Sequence, residues 1–238
     1  MKAIIRILGT ALTLLLTTTV HAQFSYGFKG GWTFQNVTAP NGAIDALPLK
    51  ANASFTLGGV AEYELTDQFA LQSEVNFVRK GFVIKEGLDL DILNIDLPIG
   101  VKATTNLKYI DVPLLAKYKF GTGKATGYVV AGPTFGYARS GNFRTSAQVL
   151  IDINLVNTPI DFDALNMNRW EVGGAVGVGG AIDMGGTQLF ADARFTHGFT
   201  KLDNLPVVDV DLLNRGVALT AGVLIPINKK SGALYASR

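Results

Sequence analysis

Four carboxylates, Glu62, Glu64, Glu74 and Asp111, are the residues of this chain whose chemistry could serve as a general acid or base. No nucleophile or base constellation accompanies them. There is no GxSxG elbow and no His-rich motif, and the glycine run from Gly173 to Gly180 lacks the lysine and helix start of a phosphate loop. His197 is one of two histidines and stands alone in its segment. Asp89, Asp91 and Asp96 lie close enough in sequence to suggest calcium, but the EF-hand spacing and its terminal glutamate are missing. The chain has no cysteine, which removes a thiol nucleophile, a thiolate metal site and a cystine framework. The expected set of catalytic, cofactor-binding and metal-binding residues is therefore empty, and the chain is read as a non-enzyme.

The elements that position these groups explain them differently. Trp170 to Phe199 reads as two long strands joined by about two residues. In the first, Trp170, Val172, Val176, Val178 and Ile182 share one face, and Glu171, Asp183 and small residues share the other. In the second, Leu189, Ala191, Phe195 and His197 oppose Asp192 and Arg194. Soluble strands run to about 5–6 residues. Strands of about 9–11 residues or more, apolar on one face and charged or small on the other, suit a barrel that crosses a membrane.

The same pattern recurs along the chain at about 24–37, 53–65, 69–80, 107–120, 125–139 and 216–227, giving eight candidate strands. In the first, Phe24, Tyr26, Phe28, Trp32 and Phe34 share one face, an array that lipid covers without a packing partner. Pro113 and Pro133 fall inside strands, and at Pro113 a bulge or a locally missing ladder bond is expected. The inward set is Lys29, Glu62, Glu64, Glu74, Asp111, Lys117, Lys119, Glu171, Asp192 and Arg194. Inside a narrow barrel such charges must pair or hold water, so the carboxylates are read as halves of ion pairs. Eight strands enclose only enough room for side chains, and a filled lumen is expected.

Residues 1–22 have the form of a secretory signal peptide. Lys2 and Arg6 precede an apolar and threonine-rich run, and Val20 and Ala22 stand at −3 and −1 of a cut before Gln23. Cleavage removes both cations and leaves 19 Lys plus Arg against 19 Asp plus Glu, a balance that offers nothing to nucleic acid. No stretch after residue 22 holds 18 continuous apolar residues, so an integral mature protein has to be a closed barrel. The expected organisation is a cleaved signal peptide over 1–22, an outer-membrane β-barrel domain over 23–228 and a polar tail over 229–238.

Connections alternate between a few residues and the long stretches 38–52, 81–106, 140–167 and 200–215. Short turns on one rim and long loops on the other is outer-membrane topology. The expected fold is all-β: an eight-stranded antiparallel up-and-down transmembrane β-barrel with four long outer loops. A soluble ligand-binding barrel also has eight strands but wants an apolar lumen and a polar outside, the reverse of this pattern. Segments 88–99, 149–165 and 205–213 interleave aliphatic residues with Asp or Asn, which predicts strands continuing past the membrane and pairing with one another above the rim.

The segments FSYGFKGGWTFQNV at 24–37, FALQSEVNFVRKGF at 69–82, LKYIDVPLLAKYKF at 107–120, YVVAGPTFGYA at 128–138 and GVALTAGVLIPI at 216–227 carry a family likeness. In them the chain resembles the outer-membrane β-barrel domain family of Bacteroidota, including PorT-like porin family proteins. The resemblance implies an integral outer-membrane protein without assigned catalysis, some of whose members serve secretion or gliding machinery. It supplies no active residues. The expected partners are the lipid bilayer and, through the long loops, another cell-envelope protein. The barrel is expected to be monomeric, with a structural, scaffolding or attachment role. A soluble exported ligand barrel, a narrow pore and a secretion component stand as alternatives. Mass spectrometry of the protein extracted from membranes will find Gln23 at its N-terminus; an intact Met1 would sink the signal-peptide reading.

Overall fold

The computed structural model describes residues 23–38, 49–92, 95–121, 123–148, 152–162, 167–201 and 212–227. The expected signal peptide, the tail and most of segment 205–213 lie outside them. Ten strands run in chain order: β1 (Gln23–Thr38), β2 (Leu49–Glu64), β3 (Phe69–Lys80), β4 (Phe82–Ile92), β5 (Ile95–Phe120), β6 (Ala125–Gln148), β7 (Asp152–Ile160), β8 (Trp170–Asp183), β9 (Gln188–Gly198) and β10 (Leu213–Pro226). Eight of them close a ring. Each of β1, β2, β3, β5, β6, β8, β9 and β10 pairs antiparallel with the next, and β10 returns to β1 from Ser25↔Pro226 to Thr38↔Leu213. Closure leaves no sheet edge within the ring, which is what a strand structure needs in hydrocarbon.

The alternation seen in sequence is the alternation of the wall. Along β1, Phe24, Tyr26, Phe28, Trp32 and Phe34 are exposed while Ser25, Lys29, Thr33 and Gln35 are buried in the lumen. Trp32 is 60% exposed and Phe28 65%, values a water-soluble surface would not tolerate as a continuous band. Aromatic residues meet at both ends of that band. Phe69 and Tyr118 pack 5.0 Å apart near the short turns; Trp32 packs 5.8 Å from Phe55, and Tyr137 4.9 Å from Trp170, nearer the long loops. These are the paired girdles of a membrane-crossing barrel.

The strands at the long-loop end run further than expected. β5 reaches back to Ile95 and β6 on to Gln148, and they stay paired from Phe120↔Gly127 to Gly100↔Gln148. β4 pairs with the outer part of β5 down to Ile92↔Ile95, and β7 folds back on the outer part of β6. The result is a four-stranded sheet, β4-β5-β6-β7, that continues the barrel wall past its rim. Segments 88–99 and 149–165 do continue as strands past the rim, but their described parts do not pair with one another. Instead 88–99 folds back on itself and 152–160 pairs with 141–148, because each hairpin closes on its nearest neighbour in sequence. Segment 205–213 lies largely outside the described residues.

Gly81 makes the branch point. β3 and β4 share one register against β5, but against β2 the pairing slips by one residue, from Leu57↔Phe77 to Ala51↔Phe82. Gly81 sits between them at φ 132°, and a Cβ there would lie 2.1 Å from the Thr105 carbonyl oxygen. Only glycine suits both the angle and the space.

At Pro113 the ladder is interrupted without a change of register. β3 and β5 pair as far as Ser73↔Leu114 and resume at Asn76↔Asp111, and β5 and β6 skip from Pro113↔Thr134 to Ala116↔Ala131. The missing-bond alternative therefore describes Pro113. The bulge lies elsewhere: between Lys108 and Tyr109 the β5–β6 register shifts, leaving Arg139 as an extra residue on β6.

Candidate functional site

The groups that could do chemistry converge inside the barrel in three sets, stacked from the short-turn end to the long-loop end. Nearest the short turns, Glu62 on β2 accepts Lys117 Nζ at 2.7 Å on one oxygen and Lys119 Nζ at 2.7 Å on the other, both from β5. Lys119 also pairs with Glu64. Lys117 Nζ lies 4.0 Å from the centre of the Tyr128 ring, a desolvated cation on an aromatic face.

The middle set is a neutral quartet. Glu74 on β3 meets Lys29 Nζ from β1 at 2.6 Å and Arg194 Nη1 from β9 at 2.7 Å. Arg194 Nη2 reaches Asp192 at 2.6 Å. The remaining carboxylate lone pairs are also used. Gln72 Nε2 and Asn76 Nδ2 donate to Glu74 at 2.5 and 2.8 Å, and Thr220 Oγ1 and the Tyr128 hydroxyl donate to Asp192 at 2.7 and 3.3 Å. Both carboxylates are fully withdrawn from solvent, with side-chain exposures of 0%.

Nearest the long loops, Lys80 Nζ bridges Asp111 at 2.9 Å and Glu171 at 2.6 Å, and Asn214 Nδ2 donates to Glu171. Lys80 Nζ lies 4.6 Å from the Tyr109 ring centre. Beyond this set an apolar cluster closes the end of the barrel: Val37, Val78, Phe82, Leu107, Tyr109, Ala138, Ile160, Phe162, Met167 and Leu212. Val78 breaks the polar parity of the inner face because it belongs to this cluster. A second apolar cluster, including Val60, Leu115, Tyr128, Phe190 and Leu224, packs around the lower ion pairs.

Space for these side chains comes from the inward glycines. A Cβ on Gly179 would lie 2.4 Å from the Tyr128 ring, and one on Gly177 would lie 2.6 Å from Arg194 Cγ. Between the middle and upper sets, a cavity of about 60 Å³ is lined by Lys29, Asn76, Asp111, Arg194 and neighbouring threonines. That is room for about two waters.

All ten residues expected to point inward do so: Lys29, Glu62, Glu64, Glu74, Asp111, Lys117, Lys119, Glu171, Asp192 and Arg194 take part in the three sets. Lys80 was missing from that set, although it shares the parity of Gln72, Glu74 and Asn76, and that parity is the signal that could have found it. Parity alone puts Tyr128 and Thr220 on the inner face, where both are buried; which carboxylate they and Asn214 meet follows from which strands become neighbours. His197 lies on the outer face between Phe195 and Phe199, with ring centres 6.4 and 5.7 Å away, and touches no carboxylate set. Among the described residues no group of three or more His, Asp or Glu could hold a metal ion. The side chains of Asp89, Asp91 and Asp96 lie outside the described residues.

The quartet makes a sharp test. Glu74→Gln leaves two cations facing Asp192 alone, and a loss of about 3–5 kcal/mol is expected in unfolding measurements from lipid vesicles. Lys29→Met added to Glu74→Gln restores neutrality and should recover part of that loss. A double variant weaker than Glu74→Gln would show that the charges are not coupled as paired.

The family model described as "Outer membrane protein beta-barrel domain" matches residues 19–204. No curated protein matches the chain by sequence. Among solved structures, the attachment invasion locus protein Ail of Yersinia pestis is similar at 15% identity and a TM-score of 0.40, over 84% of this chain and 98% of that one. Neisserial surface protein A is similar at 16% identity and 0.41, over 86% and 97%. The outer membrane protein AlkL, solved in lipid bilayers, is similar at 15% identity and 0.44, over 91% and 95%. With the family match spanning most of its length and a closed ring of lipid-facing strands, this chain is an outer-membrane protein and belongs to the outer-membrane β-barrel domain family.

Proposed function

We propose that this barrel is a monomeric envelope scaffold or attachment protein, working through the sheet that projects beyond its rim rather than through its lumen. The observation that carries the reading is the four-stranded β4-β5-β6-β7 extension, an ordered surface held by two ladders longer than the membrane requires. Its β7 edge, Asp152–Ile160, pairs with β6 on one side and with no strand on the other among the described residues. An edge of that kind can accept a strand from another chain. The domain organisation under this reading is a signal peptide over 1–22, the barrel over 23–228 and a tail over 229–238. Within the family, the segments at 24–37 and 107–120 favour the PorT-like members of Bacteroidota.

The lumen is read as filled and non-conducting, and the protein as a non-enzyme. Supporting this, the carboxylates that might act as acid or base are each held by Lys or Arg, and apolar side chains close the long-loop end. A general base needs a proton to take and a substrate beside it, and these groups have cations beside them instead.

Two measurements test the reading. Purified protein in planar bilayers should show no stable, large conductance; reproducible channels from the folded barrel would replace the scaffold with a pore. In intact cells, crosslinking should capture a defined envelope partner. That partner should be lost when 86–99 and 149–158 are replaced by short polar turns, a change that spares Ile160 and Phe162 in the apolar cluster. An unchanged set of partners, with membrane assembly retained, would leave a purely structural barrel.

A further inference from the structure

The outer face of the barrel carries a basic cluster that the lumen chemistry and the projecting sheet do not explain. Arg79 on β3, Lys108 on β5 and Arg139 on β6 are all exposed, and they line one groove of about 520 Å³ together with Phe55, Phe77 and Ile110. Along the strands the cations come two residues beyond the apolar ones: Arg79 follows Phe77, and Lys108 precedes Ile110 on a strand running the other way. The cluster thus sits where the lipid-facing band ends, at the long-loop rim, which is the outer-leaflet side of an outer-membrane barrel.

The arrangement is unfavourable by itself. Arg79 and Lys108 are direct cross-strand partners, and like charges so placed destabilise a sheet. A third cation, Arg139, shares the outward parity of Phe135 and Tyr137 on β6. Lys108 faces Ser140 and Tyr109 faces Ala138, so the bulge steps Arg139 out of direct opposition to Lys108 while leaving it exposed beside the other two. None of the three side chains has an ion pair or hydrogen bond among the described residues. Other described charged groups near this rim are Arg144, Arg215, which faces His197 across β9 and β10, and the exposed acid Asp161. Asp161 follows the Gly141↔Ile160 pair, has an interaction of its own and forms no ion pair with the three cations.

We propose that Arg79, Lys108 and Arg139 bind the phosphate-bearing head group of an outer-leaflet lipid, with its acyl chains lying on Phe55, Phe77 and Ile110. Charge complementarity selects an anion, and the two guanidinium forks suit phosphate oxygens. The apolar side of the groove selects a lipid over a free anion, because it continues into the membrane-facing band. The three strands span two inter-strand spacings, about 10 Å, wide enough for one phosphorylated sugar head group to touch all three cations. The lipid phosphate then supplies the counter-charge that the three cations lack.

The test uses the full folded chain in detergent micelles with bisphosphorylated lipid A, its dephosphorylated form, or inorganic phosphate, and reads retained lipid by native mass spectrometry. The native protein should hold bisphosphorylated lipid A about tenfold or more in preference to the dephosphorylated form, with retention falling as salt rises. Arg79→Gln, Lys108→Gln and Arg139→Gln together should abolish that preference, while Lys124→Gln at a short turn leaves it unchanged. Far-UV circular dichroism confirms that each variant is folded. Equal retention of the two lipids by the native protein would overturn the proposal without recourse to any variant. So would undiminished preference in the folded triple variant, or displacement of the lipid by millimolar inorganic phosphate.

Discussion

Backbone hydrogen bonding in hydrocarbon is the constraint on which this structure rests. A peptide N–H or C=O facing lipid has no water to turn to, and leaving it unpaired costs several kcal/mol. Strands meet the demand only if the sheet closes, and here β10 returns to β1 over fourteen register pairs. The interruptions at Pro113 and Pro133 are local, with register retained on both sides. Where the wall leaves the membrane the constraint relaxes, and it is there that the bulge, the Gly81 branch and the free-standing sheet occur.

Closure with eight strands has a second consequence. The circumference is small, so every inward side chain meets others from across the barrel. Glu74 on β3 touches Lys29 from β1 and Arg194 from β9. Charge brought into such a space is tolerated only as pairs with their lone pairs used, and the three sets satisfy this almost throughout. Glycine at the inward positions of β8 is the complementary device: Tyr128 and Arg194 occupy what its side chains would have filled. The same carboxylates that would suggest catalysis in a soluble cleft are thus consumed in holding the wall together.

The outer and inner faces answer to different solvents, and the long-loop rim is where three environments meet. The lumen ends in an apolar cluster, the wall continues as a sheet, and the lipid-facing band gives way to cations. The membrane-crossing part is held between lipid on one side and ion pairs on the other.

Much of this was legible in the chain. A strand in a two-sided wall has a strict period of two, so the positions of Phe24 to Phe34 and of Lys29, Glu62, Glu74 and Arg194 could be assigned to faces from spacing alone. Short and long connections set the topology, and β3 has the predicted bounds, residue for residue. Pairing partners were not legible, because period two says which face a charge is on and nothing about its height or its neighbour across the barrel. Lys80 acquires Asp111 and Glu171 only once β3, β5 and β8 curve around one lumen. The apolar cluster draws Val37, Phe82, Leu107, Phe162 and Leu212 from six separate stretches with its other members, and no local window contains it. The basic groove depends on cross-strand register, which is set by the closed sheet as a whole, so only the tertiary structure could place Arg139 beside Lys108 and Arg79.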